Sequence, residues 1–121
     1  MNVEQLRLDL ERDEGCVYSV YLDHLGYPTF GIGHLVTETD IEHGKPVGTE
    51  VSEDRVQQVF NSDIECVIGD CDRAFDDFGS LPEDVQLVVA NMMFNLGLPR
   101  FNKFKKMIRA INLRDMQTAA D

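Results

Sequence analysis

The sequence predicts an α+β fold, with a small β-sheet near the N-terminus and a mostly helical remainder. Strand-forming residues and glycines are concentrated between residues 16 and 34, whereas helical periodicity dominates from residue 52 onward. A helix predicted over residues 82–96 is apolar around nearly its whole circumference, which is typical of a buried helix. We therefore expect a small sheet lobe and a helical lobe built around that long buried helix.

The N-terminal part combines one helix with an extended region. Residues 3–14 have amphipathic helical spacing and are followed by a glycine that can end the helix. Residues 16–22 are rich in β-branched and aromatic side chains and predict a strand. A turn over 23–26 and an extended segment over 27–34 complete a β-hairpin. The proline in this second segment indicates that the strand lies at a sheet edge or that its ladder starts beyond the proline.

The rest of the chain is predicted to be mainly helical. Residues 35–51 are rich in turn-forming residues and predict a loop or a short third strand. Ser52 can act as the N-cap of a helix that runs to about residue 75. Pro82 starts the buried helix, and a glycine ends it at position 97.

Two further helices are expected at the C-terminal end. A basic amphipathic helix is predicted over 101–111 and another helix over 113–121. The last one stops without a helix-breaking residue, which predicts a truncated chain. The predicted organisation is a single domain over 1–121. Its parts are a sheet lobe over about 15–51, a linking helix over about 52–75, and a helical lobe over about 82–121 that also includes helix 3–14.

Length, composition and charge exclude several classes of protein. The chain has 121 residues and 43% hydrophobic residues, which suits one folded domain. Its longest aliphatic run has four residues, so no membrane span is expected, and the charged N-terminus lacks a signal peptide. A net charge of −11 makes non-specific nucleic-acid binding unfavourable. The three cysteines match no zinc-site spacing, so no metal is expected.

The basic residues are concentrated near the C-terminus. Residues 100–121 carry six basic and two acidic side chains, whereas residues 1–99 carry five basic and 20 acidic ones. This basic stretch is either a solvated helix face or a local patch for an anionic ligand.

Two carboxylates around the predicted hairpin suggest glycosidase chemistry. Glu14 ends the first helix, and Asp23 lies in the hairpin turn nine residues later. A glycosidase needs one protonated and one ionised carboxyl group. The apolar strand after Glu14 favours a raised pKa through burial, whereas the polar turn favours an ionised Asp23. Since the chain has 22 acidic residues, this spacing alone does not identify an active site.

A longer motif resembles the phage-type lysozymes, most closely those of T-even phages. Thr29 follows Asp23 by six residues and precedes Gly-Ile-Gly-His over 31–34. Together with Glu14, this arrangement is specific for the family. The resemblance covers residues 5–115, and its other matching segments are Leu10–Gly15, Tyr21–Asp23, Gly26–Leu35 and Asn91–Gly97.

The resemblance implies a muramidase that cleaves the β-1,4 bond between N-acetylmuramic acid and N-acetylglucosamine in peptidoglycan. It assigns Glu14 as the general acid and gives Asp23 and Thr29 the task of positioning and activating water on the opposite sugar face. The T-even branch inverts configuration, so the two carboxylates are expected about 6.5–9.5 Å apart. No cofactor is implied.

The resemblance also implies supporting residues. His34 and Asp63 align with a structural ion pair, which would raise the pKa of His34. The implied substrate-binding residues are Ile32, Leu35, Phe94 and Asn95.

Partners and location follow from the same resemblance. The expected partner is the peptidoglycan glycan strand, with neither nucleic acid nor a membrane span. Members of the family continue beyond the length of this chain with helices that close the helical lobe. We expect a monomer, or association through an apolar face if the chain is truncated. The enzyme would be made in the host cytoplasm and act on periplasmic peptidoglycan after its release.

The alternative is a non-catalytic lysozyme-fold module that binds cell wall or forms part of a phage particle. Such a module needs no catalytic residues, so the joint presence of Glu14, Asp23 and Thr29 favours the enzyme.

Overall fold

The structure of the protein is a computed structural model, and it describes residues 1–112. In chain order, the elements are helix α1 (Val3–Glu14), strands β1 (Val17–Leu22), β2 (Pro28–Gly31) and β3 (His34–Leu35), helix α2 (Glu53–Ala74), a 3-10 helix (Phe78–Ser80), and helices α3 (Glu83–Phe101) and α4 (Lys105–Asn112). The predicted α+β, lysozyme-like class is confirmed. The helix expected over 113–121 lies outside the described residues. None of the helices within residues 1–112 has the length and apolar character needed to cross a membrane.

The chain forms two compact units. The sheet unit comprises Arg7–Asp63, and the helical unit comprises Met1–Leu6 together with the chain from Ile64 onward. Both α1 and α2 therefore contribute residues to both units. The lobe boundaries given above stay a prediction.

The sheet of the sheet unit has three antiparallel strands in the order β1-β2-β3. Thr29 of β2 pairs with Tyr21 of β1 on one side and with Leu35 of β3 on the other. The strand that carries Thr29 is therefore central, and the edge position considered for it is wrong. The ladder does not start beyond the proline either, because Pro28 is the first residue of the strand and pairs with Leu22. The first residue of a strand is one of the positions that proline tolerates in a sheet.

The segment between the sheet and α2 does not form a regular third strand. The third strand is only two residues long and ends at Leu35, so it lies almost entirely before the segment in which it was expected. That segment instead forms turns and one isolated bridge, between Ser19 and Glu50. Turn-forming residues disfavour continuous pairing, and this explains the short strand.

Helix α2 begins where its cap predicts. The Ser52 hydroxyl oxygen accepts a hydrogen bond from the Arg55 backbone N–H at 3.1 Å, as an N-cap residue does. Its apolar positions at helical spacing are all buried: Val56, Val59, Phe60, Ile64 and Val67.

The two C-terminal helices differ in detail from the prediction. In α3, Gly97 has φ 73° and ψ 160°, so the regular helix breaks at the predicted residue. Val88 is 61% exposed although Val89 and Met93 are buried, so α3 is not covered all round. Helix α4 starts at Lys105 and not at Phe101 as expected. Phe101 is instead the last residue of α3, and its fully buried ring lies 5.8 Å from the Phe75 ring.

Candidate active site

The three predicted catalytic residues lie on three consecutive parts of the sheet unit. Glu14 is the last residue of α1, Asp23 follows β1, and Thr29 lies in β2. Glu14 and Asp23 are half-buried, and Thr29 is 4% exposed. The carboxyl groups of Glu14 and Asp23 and the hydroxyl group of Thr29 therefore lie around the first β-hairpin of this unit.

Asp23 and Thr29 are connected through one backbone carbonyl. The Tyr27 oxygen accepts hydrogen bonds from the Asp23 backbone N–H at 2.9 Å and from the Thr29 hydroxyl at 3.0 Å. In return, Asp23 Oδ1 accepts the backbone N–H groups of Leu25 at 2.9 Å and Tyr27 at 2.8 Å. The turn thus fixes the Asp23 carboxylate and the Thr29 hydroxyl relative to each other.

The Glu14 side chain lies against the turn that joins β2 to β3. A Cβ atom on Gly33 would be 3.0 Å from Glu14 Oε2 and 3.2 Å from its Cγ and Cδ atoms. Gly33 also has φ 64°, a conformation that side-chain-bearing residues adopt at a cost. The backbone conformation therefore favours glycine at this position, and any side chain there would push the Glu14 side chain aside.

Tyr21 connects the two carboxylates electrostatically. Burial, then the charge of Glu14, and then the charge of Asp23 raise the pKa of the Tyr21 phenol. Because both charges act on this one side chain, Glu14 and Asp23 belong to the same local electrostatic environment.

The predicted substrate-binding residues have different settings. Ile32 is 2% exposed and lies in the hydrophobic core, whereas Leu35 is 50% exposed. Of these two, Leu35 presents its side chain to solvent. Phe94 and Asn95 lie on α3 in the helical unit, where the Asn95 amide donates to the Asn91 carbonyl at 2.9 Å. Sugar contacts by any of the four stay a prediction.

The predicted contact between His34 and Asp63 is present in the sheet unit. His34 Nδ1 lies 2.7 Å from Asp63 Oδ2. The other ring nitrogen, Nε2, lies 2.7 Å from Oδ2 of Asp40, a residue that the sequence reasoning did not select. His34 therefore has a carboxylate on each side.

The second carboxylate extends the pair into a network. Arg55 donates to Asp40 Oδ1 at 3.2 Å and to both carboxylate oxygens of Glu42 at 3.0 Å. Glu42 is only 6% exposed, and a carboxylate is rarely buried to this extent unless it has a partner. Arg55 is that partner. The sequence holds one signal for this network, since Arg55 is one of two basic residues between positions 38 and 72.

The pKa shifts agree with this geometry. Burial disfavours the charged ring of His34, but the hydrogen bonds and charges of Asp63 and Asp40 outweigh burial and raise the pKa of His34. Burial also opposes ionisation of Asp40, yet hydrogen bonds from the Thr37 backbone and His34 lower the pKa of that carboxyl. The hydrogen bond from Arg55 lowers the pKa of Glu42.

Comparison with known proteins adds an independent line of evidence. The sequence model of the family described as phage lysozyme matches residues 11–121, a range that contains every candidate residue above. A probable T4-type lysozyme 2 of Dictyostelium discoideum is 27% identical over 137 residues, covering 98% of this chain and 81% of that protein. The pre-baseplate central spike protein Gp5 of Enterobacteria phage T4 is 25% identical over 128 residues, covering 91% of this chain but 22% of the spike protein.

Proposed function

This chain belongs to the phage lysozyme family, and from that premise we propose that it hydrolyses the β-1,4 bond between N-acetylmuramic acid and N-acetylglucosamine in peptidoglycan. Its role would be that of a phage endolysin, which degrades the wall during host cell lysis. The observation that carries the proposal is the hydrogen bonding of Asp23 and Thr29 to the same Tyr27 carbonyl, in the unit that also holds Glu14.

Glu14 is the proposed general acid. Its proton goes to the glycosidic oxygen as the bond from that oxygen to the anomeric carbon breaks. Its side chain lies at the half-buried end of α1.

Asp23 and Thr29 are proposed to hold the attacking water. The Thr29 hydroxyl gives its hydrogen to the Tyr27 carbonyl, so its oxygen is oriented to accept a hydrogen from water. Asp23 Oδ1 already accepts two backbone N–H groups, which supports Oδ2 as the oxygen that contacts the water. With both hydrogens held, a lone pair of the water oxygen attacks the anomeric carbon, and Asp23 takes the released proton. Attack from the face opposite Glu14 inverts the configuration.

The products test this proposal. Digestion of purified Gram-negative peptidoglycan is expected to release fragments that end in reducing N-acetylmuramic acid, identified by mass spectrometry after borohydride reduction. Proton NMR during the first turnover is expected to show the α-anomer first, because the substrate bond is β. Reducing N-acetylglucosamine ends, anhydro ends or an initial β-anomer would contradict the bond or the mechanism.

The similarity to the spike protein favours one second candidate, a non-catalytic module of a virion that binds peptidoglycan. Such a module would sediment with purified sacculi and release no fragments. The same digestion therefore separates the two functions.

The contact between Gly33 and Glu14 gives a direct prediction for activity. Gly33→Ala is expected to lower kcat by about tenfold, because the new methyl group displaces the Glu14 carboxylate. Gly44→Ala is the matched control, since Gly44 also has a positive φ of 79° but nothing lies within 4 Å of its added Cβ. Both variants should lose about 1–2 kcal/mol of stability from backbone strain. Equal kcat values for the two variants would contradict the prediction.

A further inference from the structure

His34 is held in a geometry that a neutral ring does not satisfy. Both of its nitrogens lie 2.7 Å from a carboxylate oxygen, one of Asp63 and one of Asp40. A neutral imidazole has one N–H, whereas an imidazolium donates from both nitrogens. The geometry therefore favours the protonated ring, which can donate to carboxylates from two separate parts of the sheet unit.

Asp40 is itself held by other groups. Its Oδ2 also accepts the Thr37 backbone N–H at 2.8 Å, and its Oδ1 accepts from Arg55. Arg55 and Asp63 lie eight residues apart on α2, which is about two helical turns. His34 is thus attached to α2 at two separated points, directly through Asp63 and indirectly through Asp40.

This double attachment lies next to the proposed acid. His34 directly follows Gly33, the residue against which the Glu14 carboxylate lies. Earlier in the same turn, a Cβ on Gly31 would be 3.1 Å from a Val56 methyl on α2. The end of β2 and the turn after it are therefore in close contact with α2 at Gly31 and with Glu14 at Gly33, and an added Cβ at either glycine would displace its neighbour.

We propose that Asp40 is a positioning residue for the reaction: it holds the second ring nitrogen of His34 and so fixes the Gly31–Gly33 turn that supports the Glu14 carboxylate. The contact with Asp63 alone leaves the ring free to pivot about one hydrogen bond, whereas two opposed contacts fix its orientation. This inference rests on the proposed function, because it concerns the placement of the proposed general acid.

The test compares Asp40→Ala with Glu38→Ala, which removes an exposed carboxylate of the same charge from the same loop. In Asp40→Ala, kcat is expected to fall by about 10- to 100-fold while KM stays within about twofold, as for a small misplacement of a reacting group. The carboxyl carbon-13 resonance of Glu14 is expected to shift in Asp40→Ala and to stay in place in Glu38→Ala. Parent kcat together with an unmoved Glu14 resonance in Asp40→Ala would overturn the proposal.

Two more variants separate positioning from folding. Asp40→Asn is expected to restore part of kcat, because its amide oxygen can accept from His34 and Thr37 in place of Oδ2, and only the contact with Arg55 is lost. An Asn variant as slow as the Ala variant would also overturn the proposal. If Asp40→Ala does not fold, Arg55→Lys takes its place, since lysine keeps the charge beside Glu42 but lacks the planar fork that also holds Asp40. Parent kcat in Arg55→Lys would then count against the proposal.

Failure of the Asp40 proposal can also be distinguished from failure of the proposed function. If the parent protein released no peptidoglycan fragments, the proposed function would fail. The Glu14 resonance would still decide whether Asp40 positions that side chain.

Discussion

Replacing Glu14 with glutamine is expected to lower kcat for peptidoglycan hydrolysis by about 100- to 10,000-fold. Glutamine has nearly the same shape as the glutamic acid but has no acidic proton to give to the glycosidic oxygen. The position at the end of α1 and the contact with Gly33 are retained, so the loss reports chemistry rather than folding. The measurement is the initial rate of turbidity clearing with outer-membrane-permeabilised Gram-negative cells.

Glu11→Gln is the matched control for this experiment. Glu11 lies about one turn earlier on α1 and is exposed, so the same change there removes the same charge without touching the proposed site. Its clearing rate and its melting temperature are expected to equal those of the parent. Clearing by Glu14→Gln at the rate of Glu11→Gln would show that Glu14 is not the acid.

Asp63→Asn is expected to lower the free energy of unfolding by about 1–2 kcal/mol near pH 6, a value between those for exposed and for fully buried ion pairs. The His34 side chain is 11% exposed, and that of Asp63 is 27% exposed, so solvent screens the pair only in part. The amide loses the charge of Asp63, whereas the contact of His34 with Asp40 remains. For a chain of this size, we expect a fall in melting temperature of about 5 °C.

The pH dependence of this stabilisation has a definite sign. Since the folded pKa of His34 is raised above 6.5, the histidine contribution is fully present below that pH and is lost as pH rises through the folded pKa. The pKa of Asp40 is lowered from 3.8, so its contribution is present above that pH and is lost as pH falls through the folded pKa. The free energy of unfolding of the parent protein is therefore expected to be greatest between pH 3.8 and pH 6.5. It declines as pH rises above this range, and this alkaline decline should be smaller in Asp63→Asn.

Asp70→Asn supplies the comparison for the half-buried pair of His34 and Asp63. Asp70 lies on the same helix and pairs with Arg73 at 2.6 Å, but the Arg73 side chain is 67% exposed. An exposed pair contributes about 0–1 kcal/mol, so this variant should melt close to the parent. Thermal melts of the three proteins from about pH 3 to about pH 9 make the comparison. Superimposable pH profiles for the parent and Asp63→Asn would contradict a stabilising role for the pair.

The parts of the site that depend on local sequence could be predicted. Asp23 lies in a turn because aspartate accepts backbone N–H groups two and four residues later, as it does from Leu25 and Tyr27. The helix end at Glu14 follows from the glycine after it. These features need no information from distant parts of the chain.

The ion network depends on contacts between distant residues, and its one signal in the sequence, the scarcity of basic residues around Arg55, does not identify the partners. Asp40 lies in a turn-rich loop, where an acidic residue is usually solvated, and its partner Arg55 comes 15 residues later. Ile32 shows the same limit, since alternation with glycines does not reveal which face of the short hairpin is covered. Burial of Ile32 and pairing of Asp40 are set by how α2 and the loop fold over the sheet.

The main-chain contacts of Tyr27 determine which substitutions this turn can tolerate. The main-chain atoms of Tyr27 bond to Asp23 and Thr29, while the Tyr27 side chain is 52% exposed. A mutant library at this position should therefore retain many side chains of different size and polarity. Proline is the exception, because it lacks the N–H that reaches Asp23 Oδ1. The placement of the proposed water-holding pair thus depends on the path of the main chain, and the residue at position 27 can diverge freely as long as that path is kept.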